Sequence, residues 1–153
     1  MRGFTLIEIL VAITVIGIVS VLVIPNLNKF SKDQDFSSQS GRFLQTLRQA
    51  QSNAQSGLQC PSPTKAAISW QFIYSTINKN YYLVANCSDI TNQNQPTIAL
   101  SNITFDAPTN CGDITFTKNS ISFSGSASSC TITLRNSPTL FRTFTIDKGG
   151  SIN

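Results

Sequence analysis

The feature that most constrains this chain is the apolar run from Phe4 to Ile24, which carries a single charge, Glu8. As an α-helix rising about 1.5 Å per residue, the run is roughly 30 Å long, the thickness of a bilayer core. It ends at Pro25 without the small-residue cleavage site of a secretory signal, so we expect it to be retained in a membrane. A carboxylate there is costly unless a group outside the segment compensates it.

A second helical pattern lies further along the chain. Its apolar residues recur on one helical face: Phe43, Leu47, Ala50 and Ala54. Gly57, followed closely by two prolines, predicts the end of this helix. Because residues 37–41 favour helix poorly, two interpretations stay open. The helix either continues from the apolar run or begins independently after a loop.

After Pro63 the pattern changes to the alternation that is typical of strands. Residues 65–74 and 80–87 predict a hairpin, residues 113–125 two short strands about a turn, and residues 130–136 and 141–150 a final pair. The predicted fold class is α+β, with a long N-terminal hydrophobic helix packed on a C-terminal antiparallel β-sheet domain. We expect this domain to pack on the face that contains Phe43, with Trp70 or Phe72, whichever of the two faces inward, as its partner.

The chain has four cysteines, and no two of them have a metal-site spacing such as C-x-x-C. It has no histidine, which excludes the common mixed zinc sites. We therefore expect two disulfides and an oxidising compartment, which places the β-domain outside the cytoplasm. Of three connectivities, the hairpin favours Cys60–Cys87. The remaining pair, Cys111–Cys130, is expected to join the first and third strands of one meander.

The N-terminal stretch GFTLIEILVAITVIGIVSVLVIPNL resembles the class III signal of type IV pilins and pseudopilins. The resemblance implies that a prepilin peptidase cleaves between Gly3 and Phe4 and methylates the new Phe4 amine. It also implies that Glu8 acts in assembly, paired with the Phe4 amine of its own chain or of a neighbouring subunit. The expected organisation is a leader (1–3), a membrane and filament-core helix (4–25), its amphipathic continuation (26–58) and an extracytoplasmic β-domain (59–153).

Two further stretches, LRQAQSNAQSG and the pair CTITLRN and FRTFTIDKGGSIN, resemble the GspH/FimT family. This family comprises H-type pseudopilins of type II secretion and T-type fimbrial minor pilins. The resemblance implies a structural subunit that co-assembles with major and minor pilins or pseudopilins. Its precursor would cross the bacterial inner membrane once and then enter a pilus or a pseudopilus.

Few side chains could serve as catalytic acids, bases or nucleophiles, because histidine is absent and no acid forms a motif with a nucleophile. We expect a protein that is not an enzyme and that has no cofactor and no metal. DNA binding is an alternative, carried weakly by Arg135, Arg142 and Lys148 around the last hairpin. A further alternative is a β-domain anchored by a single span, which would leave Glu8 unexplained.

Overall fold

The computed structural model describes residues 4–57, 67–87, 93–106, 111–125 and 127–153. In chain order, the elements are helix α1 (Leu6–Ser56) and strands β1 (Ser69–Ser75), β2 (Asn80–Asn86), β3 (Gln93–Asn94), β4 (Ile98–Ala99), β5 (Thr104–Asp106), β6 (Ile114–Phe116), β7 (Ile121–Phe123), β8 (Ser129–Ser137) and β9 (Leu140–Asp147). The chain divides into two compact units, Met1–Ser37 and Ser38–Asn153.

Helix α1 runs without a break through residues 37–41, so the interpretation with a loop at this point is wrong. Tertiary packing outweighs the weak helix propensity of the serines here, since Ser40 is itself fully buried. The helix ends where predicted, at Gly57, which has a φ of 64°. Only glycine adopts this left-handed conformation without steric cost, which is why it ends so many helices.

The strands form two antiparallel sheets. The larger has the order β3-β2-β1-β6-β7, with β4 also paired to β2, and the smaller has the order β5-β8-β9. The β1–β2 and β8–β9 hairpins were both expected from their alternating patterns. Together with the helix that packs on these sheets, they confirm the predicted α+β class.

The predicted face of α1 forms the centre of the core. Phe43 and Leu47 are completely buried, as is Ala50, and Ala54 is buried as well. The Phe43 ring lies 5.2 Å from Phe72 in the larger sheet and 5.3 Å from Phe144 in the smaller one. Both sheets therefore pack on the same helix face, with one aromatic side chain at the junction.

Trp70 and Phe72 are both buried, so the expectation that only one of them faces inward is wrong. Residues two apart on a strand share one face of the sheet, and here that face is the core. Phe72 is the member of the pair that contacts Phe43 in an edge-to-face arrangement.

The Cys111–Cys130 disulfide is present, with Cα atoms 5.2 Å apart, but it does not lie in a single meander. Cys130 belongs to β8 of the smaller sheet, whereas Cys111 extends the β6–β7 hairpin of the larger one, where its carbonyl accepts from Gly125 N at 3.3 Å. The bridge therefore links the two sheets covalently. The predicted Cys60–Cys87 bridge involves Cys60, which lies outside the described residues.

Polar side chains of α1 hold two loops against the helix. The Gln39 amide donates to the Ser101 carbonyl at 3.2 Å and accepts from the Ser101 amide at 2.9 Å, as a neighbouring strand would. Gln51 Nε2 donates to the Gly150 carbonyl at 2.8 Å. These contacts fix the loop before β5 and the turn after β9 at two levels of the same helix.

Candidate functional site

The first turn of α1 positions the acid that the sequence singled out. The Thr5 carbonyl accepts from the amides of Glu8 at 3.1 Å and Ile9 at 3.4 Å, and the helix begins at Leu6. Glu8 is therefore the acidic residue of the first turn, where the positive end of the helix dipole stabilises a carboxylate. Phe4 precedes the helix and is 81% exposed. The predicted cleavage site is described only on its Phe4 side, since Gly3 lies outside the described residues.

The surface that follows Glu8 is apolar on every side of the helix. Large apolar side chains from Phe4 to Val19 are exposed by between 48% at Leu10 and 82% at Leu6. They include consecutive residues such as Ile9, Leu10 and Val11, so no side of the helix is polar. A helix with this surface is stable in an apolar environment, which a bilayer or the apolar faces of other helices supply.

Two hydroxyl groups within this segment bond to the helix itself. Thr14 Oγ1 donates to the carbonyls of Val11 at 2.8 Å and Leu10 at 3.1 Å, and Ser20 Oγ donates to the Ile16 carbonyl at 2.7 Å. Such back-bonding satisfies a hydroxyl without water. Neither residue was predicted from the sequence, although an isolated Ser or Thr in an apolar run is a signal for such a bond.

Among the described residues, no helix combines the length and the apolarity of a membrane span. The predicted span from Phe4 to Ile24 stays a prediction.

The three basic residues considered for DNA binding do not form one patch. Arg142 alternates with Phe144 and Ile146 on the inner side of β9, and its Nη1 donates to Ser40 Oγ at 3.2 Å. Arg135 lies on the opposite side of the smaller sheet, because its neighbour Leu134 is the buried one.

Arg135 is committed to a local ion pair. Its Nε and Nη2 atoms donate to Asp106 Oδ2 at 2.9 and 2.7 Å, and its guanidinium lies 5.3 Å from the centre of the Phe141 ring. The hydrogen bonds from Arg135 hold the pKa of the Asp106 carboxyl below its ordinary value. A guanidinium neutralised in this way attracts a phosphate less strongly than a free one.

Lys148 lines a small polar cleft of about 80 Å³. The end of α1, the β6–β7 turn and the Gly149–Gly150 turn form its walls, and Lys118 is its other charged residue. The cleft therefore groups two lysines that the sequence did not associate, and neither Arg135 nor Arg142 lines it.

Comparison with known proteins identifies the N-terminal segment. Residues 1–24 match the family model of the prokaryotic N-terminal methylation motif. Comparisons with curated proteins and with solved structures give no match for the chain. The match at residues 1–24, with Glu8 in the first turn of an apolar helix, supports a type IV pilin-like protein.

Proposed function

We propose that this chain is a minor pilin or pseudopilin, a structural subunit that co-assembles through its N-terminal helix into a type IV pilus or a type II secretion pseudopilus. The observation that carries the proposal is the methylation motif at residues 1–24. The apolar surface from Phe4 to Val19 adds to it, because such a surface needs a bilayer before assembly and other helices after it. The pilin-type motif suggests a structural role without catalysis.

The proposed processing creates the partner for Glu8. Cleavage between Gly3 and Phe4 by a prepilin peptidase leaves a cationic amine one helical turn from the carboxylate. Within one chain, that amine can pair with its own Glu8. Pairing instead with the Phe4 amine of a neighbouring subunit would fix the axial register between subunits and favour extraction from the bilayer. We propose the pairing between subunits, because it accounts for an acid that lies among the exposed apolar side chains from Phe4 to Val19.

The precursor would lie in the bacterial inner membrane with its β-domain outside the cytoplasm, and the mature chain in the filament. The disulfide that links the two sheets supports this location, since such bonds persist in oxidising compartments. The strand pair β8–β9 and the glycine turn after it support, more weakly, an assignment to the GspH/FimT family.

Mass analysis of the mature N-terminus tests this proposal most directly. We expect a chain that begins at Phe4 and carries one methyl group on its amine. A Gly3→Asp variant, which blocks the cleavage site without touching the helix, should retain Met1 and Arg2. An unprocessed wild-type chain would contradict the pilin assignment and favour a simple membrane anchor.

A further inference from the structure

Among the described residues, backbone pairing covers half the length of the outer edge of β9. After the Gly149–Gly150 turn, the chain folds back so that Ile152 pairs with Ile146. Thr145 and Asn153 exchange two backbone hydrogen bonds, of 2.9 and 3.0 Å, and the Asp147 amide donates to the Ser151 carbonyl at 3.0 Å. We call residues 151–153 the tail. Within residues 127–153, the tail pairs with β9 from Thr145 to Asp147.

In the first half of β9, Phe141 and Thr143 direct their backbone groups toward the edge at which Thr145 and Asp147 bond the tail. Alternate residues of a strand direct their N–H and C=O groups toward the same edge. Since Thr145 and Asp147 bond the tail, Phe141 and Thr143 direct theirs away from β8 as well. Residues 141–143 are all exposed. We call this segment the open edge. It presents the hydrogen-bonding groups that an additional strand requires.

The side chains of the open edge select what can pair with it. Phe141 is 54% exposed and offers an apolar contact. Arg142 is exposed, and the partner that its guanidinium has among the described residues, the Ser40 hydroxyl, carries no charge that would neutralise it. Arg135, by contrast, already has its carboxylate in Asp106. A strand added here therefore gains most when an acidic residue lies opposite Arg142.

A second copy of the chain does not fit this requirement. Antiparallel pairing of two open edges about their centre places Phe141 opposite Thr143 and Arg142 opposite its own copy. Two guanidinium groups directly opposite each other destabilise the pair. A charged residue in an edge strand is also a known means of preventing self-association.

We infer that the open edge of β9 accepts, by β-strand addition, an extended acidic segment of a different subunit, with a carboxylate opposite Arg142. The identity of the partner as a filament subunit rests on the proposed function. Main-chain hydrogen bonds from Phe141 and Thr143 supply the affinity, and Arg142 supplies the register and the selectivity.

The test uses the full chain in detergent micelles with two synthetic peptides, TVTETVT and its twin TVTKTVT. Amide hydrogen exchange at Phe141 and Thr143, followed by NMR, should be fast in the free chain and slow by about tenfold or more with the acidic peptide. The lysine twin should have no effect at the same concentration. The amides of Thr145 and Asp147, which the tail already bonds, serve as an internal reference.

Two variants separate the roles of charge and backbone. Arg142→Glu should reverse the preference, so that the lysine twin protects and the acidic peptide does not, whereas Arg48→Glu on the exposed side of α1 should leave the preference unchanged. Thr143→Pro, which removes one edge donor, should abolish binding of either peptide. Equal protection by both peptides, or amides at Phe141 and Thr143 that are already protected in the free chain, would overturn the inference. Mass analysis of the mature N-terminus tests the proposed function separately. A failure of the strand-addition inference can therefore be distinguished from a failure of the proposed function.

Discussion

Helix α1 contains two stretches with opposite requirements. From Leu6 to Val19 its large apolar side chains are exposed, while from Phe43 to Ala54 its apolar face is buried under two sheets. The second stretch packs on a partner surface within the chain, whereas the first stays exposed among the residues that the structure describes. The contrast teaches that one continuous helix can serve folding at one end and association at the other. Substitutions in the first stretch should therefore change co-assembly, and substitutions in the second should change the free energy of unfolding.

The largest expected effect is that of Leu47→Asp, which places a charge without a partner at a completely buried position. We expect a loss of more than about 4 kcal/mol in the free energy of unfolding, enough to abolish a cooperative transition. The single tryptophan, Trp70, is 4% exposed and reports on this unit through its fluorescence during urea unfolding of the full chain in detergent.

Leu10→Asp is the matched substitution at the other end of the helix, where the side chain is 48% exposed. It should leave the Trp70 transition unchanged. Gln45→Asp, on the exposed side of the second stretch, controls for the introduction of a charge into the packed part of α1. If Leu47→Asp unfolds like the parent chain, the assignment of the buried face is incorrect.

A smaller loss is expected when the bond between the sheets is removed. Replacing Cys111 and Cys130 together by alanine opens a loop with a sequence separation of 19 residues. Loss of that constraint on the unfolded chain corresponds to about 3 kcal/mol, so the urea midpoint should fall while the transition stays cooperative. Under reducing conditions, where neither chain contains any bridge, the parent chain and the double variant should unfold at nearly the same urea concentration.

Removal of one polar contact of the second stretch should have a still smaller effect. Gln39→Ala leaves both backbone groups of Ser101 without the side chain that now bonds them. We expect a loss of about 1 kcal/mol and faster exchange of the Ser101 amide. Gln49→Ala, at an exposed position of the same helix, is the control. Equal exchange in the two variants would show that Gln39 does not hold the loop.

The smallest effect on stability is expected at Glu8, which lies in the first turn and is exposed. Glu8→Val should not change the Trp70 transition, and the chain should still insert, be cleaved and form its disulfides. Crosslinking or filament pull-down should nevertheless show loss of co-assembly with other pilins. Asp33→Val, a second exposed acid of α1, should assemble normally. Normal incorporation of Glu8→Val would leave only pairing with its own Phe4 amine.

Local patterns in the sequence predicted the helix face and the hairpins because both depend on near neighbours. Phe43 and Leu47 are one helical turn apart, and the strands of the β1–β2 hairpin are separated by a short turn. Gly57 also ended the helix as predicted, since its conformation is a local property. Glu8 was identified for the same reason, as a charge in an otherwise apolar run.

Contacts between distant residues were beyond such patterns. Pairing of β1 with β6, which aligns Trp70 with Phe116, cannot be read from alternation alone. Because this pairing could not be predicted, Cys111 and Cys130 were expected in one meander. The bridge between them was predicted correctly, but the arrangement of the strands that it joins was not. The ion pair of Arg135 with Asp106 depends likewise on the register of β5 against β8. That register gives Arg135, one of the three residues considered for DNA binding, a carboxylate partner within the chain.

The link between the sheets also has a mechanical consequence. A subunit in a filament carries tension when the filament is pulled, and tension lengthens a protein by unravelling its chain. The bridge between Cys111 and Cys130 prevents the segment between them, with its sequence separation of 19 residues, from extending under tension. At about 3.3–3.6 Å for each extended residue, a chain with this bridge lengthens by roughly 65 Å less under load than a chain that lacks it.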